Sequence, residues 1–257
     1  MGAIGGLGGA ILLVPALVLT GVGASAAAPL GLVCVASGSI AAGSRQLEER
    51  LVNHRIGITT EIAASTGAAA GALISGLVSE QVLISLLVAA ALVAAFAGAR
   101  RTGLRNPPDP RCQPEDVGER VGTLTGAYPL EDGVVPYATR RLPLGLGLMG
   151  VAGFIAGATG TSGGYVKTPA TSEVMHVPTK IAAATTTFTV GVTTATALIV
   201  FALQGRIDPP TSAAVVVGAV LGGAVGARVH AALGPVHVRR ALSALLVVIA
   251  VILVTKL

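Results

Sequence analysis

The sequence predicts an all-α integral membrane protein: a polytopic helical bundle of two homologous, inverted repeats, with broken or re-entrant helices at its Gly-rich motifs. Three observations carry that expectation. Of 257 residues, 53% are hydrophobic and only 11% charged, with a mean hydropathy of +0.80, far from the soluble average. Several stretches of about 17–22 residues hold few or no charges, enough for a helix to cross about 30 Å of hydrocarbon. Glycine runs followed by proline also recur at matching places in the two halves. A soluble bundle of buried helices is the weaker alternative.

Net charge is +5 with a pI near 9.8. The arginines gather in short segments between apolar runs instead of forming a stripe, so they read as topology signals and no nucleic-acid partner is expected. Cys34 lies in an apolar run and Cys112 in a polar loop, giving neither a disulfide framework nor a metal pattern. The N-terminus lacks a basic region and a clear cleavage site, so it is not read as a signal peptide. Gly6 breaks the myristoylation pattern.

Taken in order, Ala10 to Thr20 is a short apolar piece broken by Pro15, after the run Gly5-Gly6-Leu7-Gly8-Gly9. A span from about Ala24 to Gly43 leads into the charged connection 45–55, expected at a membrane surface. Spans over about 58–78 and 82–99 are expected to form an antiparallel hairpin. They complete a first membrane repeat, 1–99. Segment 100–141 holds much of the charge and six prolines; it is expected as a polar inter-repeat loop on the cytoplasmic side, too short for a domain with its own core. The second repeat, 142–257, contains an apolar span over 142–158, the polar stretch 157–187, and spans over about 181–203, 210–233 and 238–254. Gly67 and Gly71, and Gly218, Gly222 and Gly226, recur every four residues, a spacing that lets helix backbones approach closely in lipid.

The repeat is visible as nearly constant offsets. Gly6, Gly9 and Pro15 fall 154 residues before Gly160, Gly163 and Pro169; Arg55, Ile56, Gly67 and Gly71 fall 151 before Arg206, Ile207, Gly218 and Gly222. The first copy starts almost at its glycines, so it is expected to lack the counterpart of the 142–158 span. Inversion lets the segments 45–55, 100–141 and 228–240, with Lys180, share the cytoplasmic side. That places fourteen of the seventeen Lys and Arg inside. A parallel arrangement would misplace Arg206 or the last connection.

Broken helices suit anions, because a helix that starts inside a membrane presents unpaired N–H groups and the positive end of its dipole. Gly6, Gly8 and Gly9, and Gly160, Gly163 and Gly164, are therefore candidate substrate-binding positions, along with Ser162. Lys167 sharpens the candidate site, since a cation at membrane depth is costly and normally faces a cavity, a partner or a substrate. The competing readings are snorkelling to the interface or pairing with Glu173. Thr185, Thr186 and Thr187 offer hydroxyls that donate to an oxyanion without adding charge, though helix capping and packing are equally ordinary uses. Glu173, His176 and Glu61 are candidates for coupling, with an interfacial position the stronger reading of Glu61. Val166 precedes Lys167-Thr168 where a phosphate loop needs glycine, and His54, His176, His230 and His237 are scattered. No enzyme activity, cofactor or metal is expected.

The block GTSGGYVKTPATSEVMHVPTKIAAATTTFTVGVTTA resembles the second signature of the sulfite exporter TauE/SafE family. It has the GxGGG-like run at Gly160 to Gly164, then Pro169, Pro178 to Ala182 and Ala184 to Thr186. GGLGGAILLVP resembles the first signature. Ser162 and Ala10 each replace a glycine, and Thr186 stands where serine is common. The resemblance implies a multi-pass permease of a prokaryotic plasma or inner membrane, exporting small sulfur-containing anions such as sulfite, thiosulfate or organosulfonates. Its partners would be that anion and the lipid bilayer, and a homo-oligomer stays open. An anion channel or a non-transporting assembly factor are the alternatives.

Overall fold

The computed structural model describes residues 10–48, 50–99, 108–130, 133–233 and 235–255. Helix α1 (Ala10–Leu19) turns at Gly21, φ +96°, into α2 (Ala24–Glu48). Asn53 caps α3 (His54–Ser75), its side chain accepting from the Ile56 N–H, and α4 (Glu80–Ala99) follows. The second half contains α5 (Leu142–Thr159), α6 (Gly164–Pro169) running into a π-helical turn (Ala170–Val174), α7 (Thr179–Leu203), α8 (Pro209–Leu233) and α9 (Pro235–Val254).

Helices start at 24, 54 and 80 in the first half and at 179, 209 and 235 in the second, a common offset of 155. The 151-residue pairing of Arg55 with Arg206 is thus one helical turn out of step with the elements. At 155, Gly67 and Gly71 fall on Gly222 and Gly226.

Packing departs from the expected hairpin of 58–78 with 82–99. Helices α3 and α4 barely touch; α3 lies against α5 and α7, whereas α4 lies against α9 and α2 against α7. Glycine explains the choice on α3. A Cβ at Gly67 or Gly71 would fall inside van der Waals contact with the backbone of Gly150, Phe154 or Ala158, and one at Gly153 or Gly157 with that of Ala64 or Ala68. On α8, by contrast, a Cβ at Gly218 or Gly222 meets nothing. The expected packing role therefore holds for the α3 glycines and not for these two. Among the described residues no helix stands to α8 as α5 stands to α3.

Two ends of the bundle are distinguishable. At one, the Arg206 guanidinium donates to Ser75 Oγ at 2.8 Å and to the Ser25 carbonyl at 2.5 Å, and lies 4.5 Å from the Phe201 ring centre. Glu80 accepts there from the Ala24 N–H at 2.6 Å. At the other, the Asn53 N–H donates to Thr185 Oγ1 at 3.0 Å and the Arg140 N–H to the Met175 carbonyl at 3.0 Å. Helix α2 therefore begins where α7 ends and ends where α7 begins, so these two run antiparallel.

The second end carries a sheet, which corrects the expectation of an all-α chain; it lies within the segment 100–141 expected as a polar inter-repeat loop. Strands β1 (Gly118–Glu119), β2 (Thr125–Leu130) and β3 (Gly133–Ala138) are antiparallel in sequence order. The Asp132-Gly133 pair is a hairpin signal, and Val134, Val135 and Tyr137 are buried on β3. Tyr128, Val135 and Tyr137 join a cluster with Ile56, Met149, Met175 and Ile181, so the sheet sits on the helix ends instead of needing a separate core.

Among the described residues, three helices are long and apolar enough to cross a membrane, at 80–97, 142–159 and 179–203, with shorter apolar helices at 10–19, 24–40, 209–222 and 242–254. Helix α3 falls outside both groups because it is built of Ala, Gly and Thr, the residues its close packing demands.

Candidate functional site

The polar stretch folds as a helix break. Gly160 ends α5 at φ +74° and Gly163 precedes α6 at φ +62°, a conformation that disfavours a side chain. A Cβ at Gly160 would enter the backbone of Ala28 on α2, and one at Gly163 would crowd Ala152 on α5. In this conformation the space beside both glycines is filled by helix backbone, whereas the expectation was space for a substrate. The hydroxyls of the break bond to one another: Thr159 to Thr161 at 2.9 Å and Thr161 to Tyr165 at 3.3 Å. Ser162 Oγ accepts from the Gly164 N–H at 3.4 Å.

Lys167, on α6, is the centre of a buried constellation. Its ammonium donates to Glu61 Oε2 on α3 at 2.9 Å and to Thr193 Oγ1 on α7. Thr193 in turn donates to Glu61 Oε1, which also accepts from Ser65 at 2.9 Å. Lys167 is 2% exposed, Glu61 7% and Thr193 0%. Glu61 lies seven residues into α3, about 10 Å along the axis. This corrects its expected interfacial position: α3 turns that face inward, and the carboxylate finds a cation there. Lys167 pairs with Glu61 and not with Glu173, which is exposed on the π-helical turn; His176 is half-buried beyond it at φ +59°. Their isolation follows from the turn's direction, which carries the chain out toward the sheet.

The threonine run sits at a different level. Thr185 accepts from Asn53 at the sheet end, and Thr187 bonds back to the Ala183 carbonyl. Thr185 and Thr193 are eight residues apart on α7, about 12 Å. Thr186 is buried as well. The hydroxyl that reaches Lys167 is thus Thr193, which sequence reasoning missed. Its signal is the four-residue spacing of Thr185, Thr189 and Thr193, which puts all three on one helix face. Thr168 Oγ1, next to Lys167, is buried and has no partner among the described residues. Such a hydroxyl ordinarily holds a water or ligand. Gly6, Gly8 and Gly9 lie outside the described residues.

Opposite charges balance in this centre, and hydroxyls surround them. Replacing a buried ion pair's partner is costly, about 3–5 kcal/mol, so any anion that reaches Lys167 must substitute for Glu61 and not simply displace it into lipid. Among the described residues, no three His, Cys, Asp or Glu side chains group as a metal site. At the sheet end, Glu119 accepts from the His54 and Arg55 N–H groups at 3.2 and 3.1 Å and contacts His54 Nδ1 at 2.6 Å. Burial there raises its pKa, but these hydrogen bonds outweigh it and hold the carboxyl below the usual range.

Comparison with known proteins supplies the remaining finding. The family model described as Sulfite exporter TauE/SafE matches residues 1–253, essentially the whole chain. No curated protein and no solved structure matches.

Proposed function

The chain belongs to the sulfite exporter TauE/SafE family, and on that premise we propose that it exports small sulfur-containing anions such as sulfite, thiosulfate or organosulfonates by alternating access. Membership makes it a membrane permease, a family of transporters and not of enzymes. The observation that carries the finer reading is the buried Lys167, a fixed cation among hydroxyls at a helix break inside an apolar bundle. Its closure favours a carrier that seals over its ligand above an open channel.

Two repeats, 1–99 and 142–257, are the units that would rock. Their inverted relation is supported by the common 155-residue offset and by the antiparallel run of α2 beside its counterpart α7. In that reading the sheet and the 100–141 segment face the cytoplasm of a prokaryotic plasma or inner membrane, on the side with most Lys and Arg. The ligand site comprises Lys167, Thr168 and Thr193, with Ser162 and the backbone of Gly160 to Gly164 beside it. The glycines 6, 8 and 9 would supply the corresponding donors of the first half, and Thr185 to Thr187 would line the approach from the sheet end.

Binding of sulfite, thiosulfate, sulfoacetate and taurine to the purified chain, with Lys167→Met alongside, tests this. Equal binding by that variant removes Lys167 from the site. Counterflow in proteoliposomes separates carrier from channel, because only a carrier is accelerated by substrate on the far side. A stable partner without any flux would instead indicate an assembly factor.

A further inference from the structure

Glu61 sits where the anion should. It holds both faces of its carboxylate in place, Oε2 on Lys167 at 2.9 Å and Oε1 on Ser65 at 2.9 Å and on Thr193. An oxyanion drawn to Lys167 meets an ionised carboxylate already there, and two anions on one ammonium repel strongly at this depth. Among the described residues the surroundings offer no second cation. Helix α5 has no charged residue, and α7 has only Lys180, exposed in its first turn. On α4 the one charge, Glu80, is held at the opposite end by Ala24 and Ser25. His54 and Arg55 of α3 are taken up by Glu119, Glu173 is exposed, Tyr165 of α6 bonds to Thr161, and α2 carries the half-buried free thiol Cys34 and, at its end, the exposed Glu48.

We infer that Glu61 is the proton site of the transport cycle: ionised, it occupies Lys167 and excludes the anion; protonated, it releases Lys167, so each anion is bound together with one proton. This rests on the proposed anion site and adds the coupling ion to it. Protonation needs no large rearrangement. Ser65 and Thr193 hydroxyls turn to accept as readily as to donate, and a neutral Glu61 gains an O–H that can reach Thr193 or the bound oxyanion. The charge of the centre stays balanced in both states, Lys167 with Glu61 when empty and Lys167 with a monoanion when loaded. The empty carrier can therefore reorient without a bare charge. Anion and proton cross in the same direction, and a monoanion moves without net charge. Export by such a cycle runs on the anion's own outward gradient.

The test is isothermal calorimetry of methanesulfonate binding to the full chain in nanodiscs, run between about pH 5 and pH 8 in buffers of different ionisation heat. Methanesulfonate stays a monoanion over that interval, so any proton taken up belongs to the protein. The expected result is about one proton taken up per anion at the alkaline end and an affinity that falls by up to about tenfold per pH unit there. In Glu61→Gln both effects are expected to vanish. Binding by the wild type with no proton uptake at any pH overturns the role of Glu61 while leaving the anion site standing. Proton uptake that persists in Glu61→Gln assigns the proton elsewhere and also overturns it. No binding by the wild type at any pH overturns the anion site and this inference together. If Glu61→Gln fails to fold, the wild-type count still overturns the role of Glu61 when it is zero, and Glu61→Asp, which keeps the carboxylate, is expected to keep the uptake with a shifted pH dependence; an unshifted dependence assigns the proton elsewhere.

Discussion

Lys167 and Glu61 define each other's behaviour. Neither charge is tolerable alone at 2% and 7% exposure, so removing one costs about 3–5 kcal/mol through the partner left behind. Lys167→Met is therefore expected to lower the unfolding midpoint in detergent as well as anion binding. Loss of a charge-assisted hydrogen bond, about 1.5–3 kcal/mol, translates into a tenfold to hundredfold weaker affinity. The double variant Lys167→Met/Glu61→Gln leaves no unpaired charge and should recover most of the stability without recovering binding. If binding returns with the stability, the lysine acts on folding alone. Glu61 was readable in the sequence as a coupling candidate near a helix start, with an interfacial position the stronger reading; which way α3 rotates decides that it meets Lys167, and rotation is set by the glycine face packed against α5.

Among the elements, that α3–α5 contact is the most tightly made. Gly153→Ala would push a methyl into the Ala64 backbone, an overpacking expected to cost about 1–3 kcal/mol. Gly222→Ala meets nothing within contact distance and should change stability by no more than about 0.5 kcal/mol, or raise it slightly. Thermal unfolding of the two variants side by side measures the difference. The sheet depends on another element-level contact, since Glu119 supplies an acceptor to the free N–H groups at the start of α3. Its folded pKa is depressed, so the contact is fully present above the ordinary carboxylate pKa of about 4.3 and weakens as pH falls through the lower folded value. Glu119→Ala should lose about 1 kcal/mol of docking, by analogy with a lost helix cap. Protease cleavage within 108–140 would accordingly quicken about fivefold at neutral pH, while an unchanged rate would mean that the apolar contacts of Tyr128 and Val135 hold the sheet by themselves.

For the whole molecule, the decisive arrangement is that the two halves share one order of helices and meet through α2 with α7 and α4 with α9. An inverted pair puts Cys112 and Gln204 on opposite sides of the bilayer. In a Cys34→Ala background, a membrane-impermeant maleimide should label Cys112 only in inside-out vesicles. With Cys112 also removed, Gln204→Cys should label only from the outside. Labelling of both from one side would replace the inverted arrangement with a parallel one.

Composition and spacing alone determined that the chain is a helical membrane protein and that the stretch around Lys167 interrupts its helices, and they carry the proposal that it is duplicated. Those properties are written in hydropathy and in glycine and proline, which act locally. The pairing of helices was not legible, because α3 and α4 are adjacent in the chain and joined by a short turn as in any hairpin, and only the fit of Gly67, Gly71, Gly153 and Gly157 selects α5 as the partner. The sheet was signalled by Asp132-Gly133 and by the short apolar strands, though prolines in both long strands and the surrounding charge obscured it. The site was half legible. Lys167 stood out because a cation inside an apolar run is rare, whereas its partners Glu61 and Thr193 lie 106 and 26 residues away in the chain. Contacts at such separations are set by how three helices rotate against one another, and that is decided only when the bundle packs.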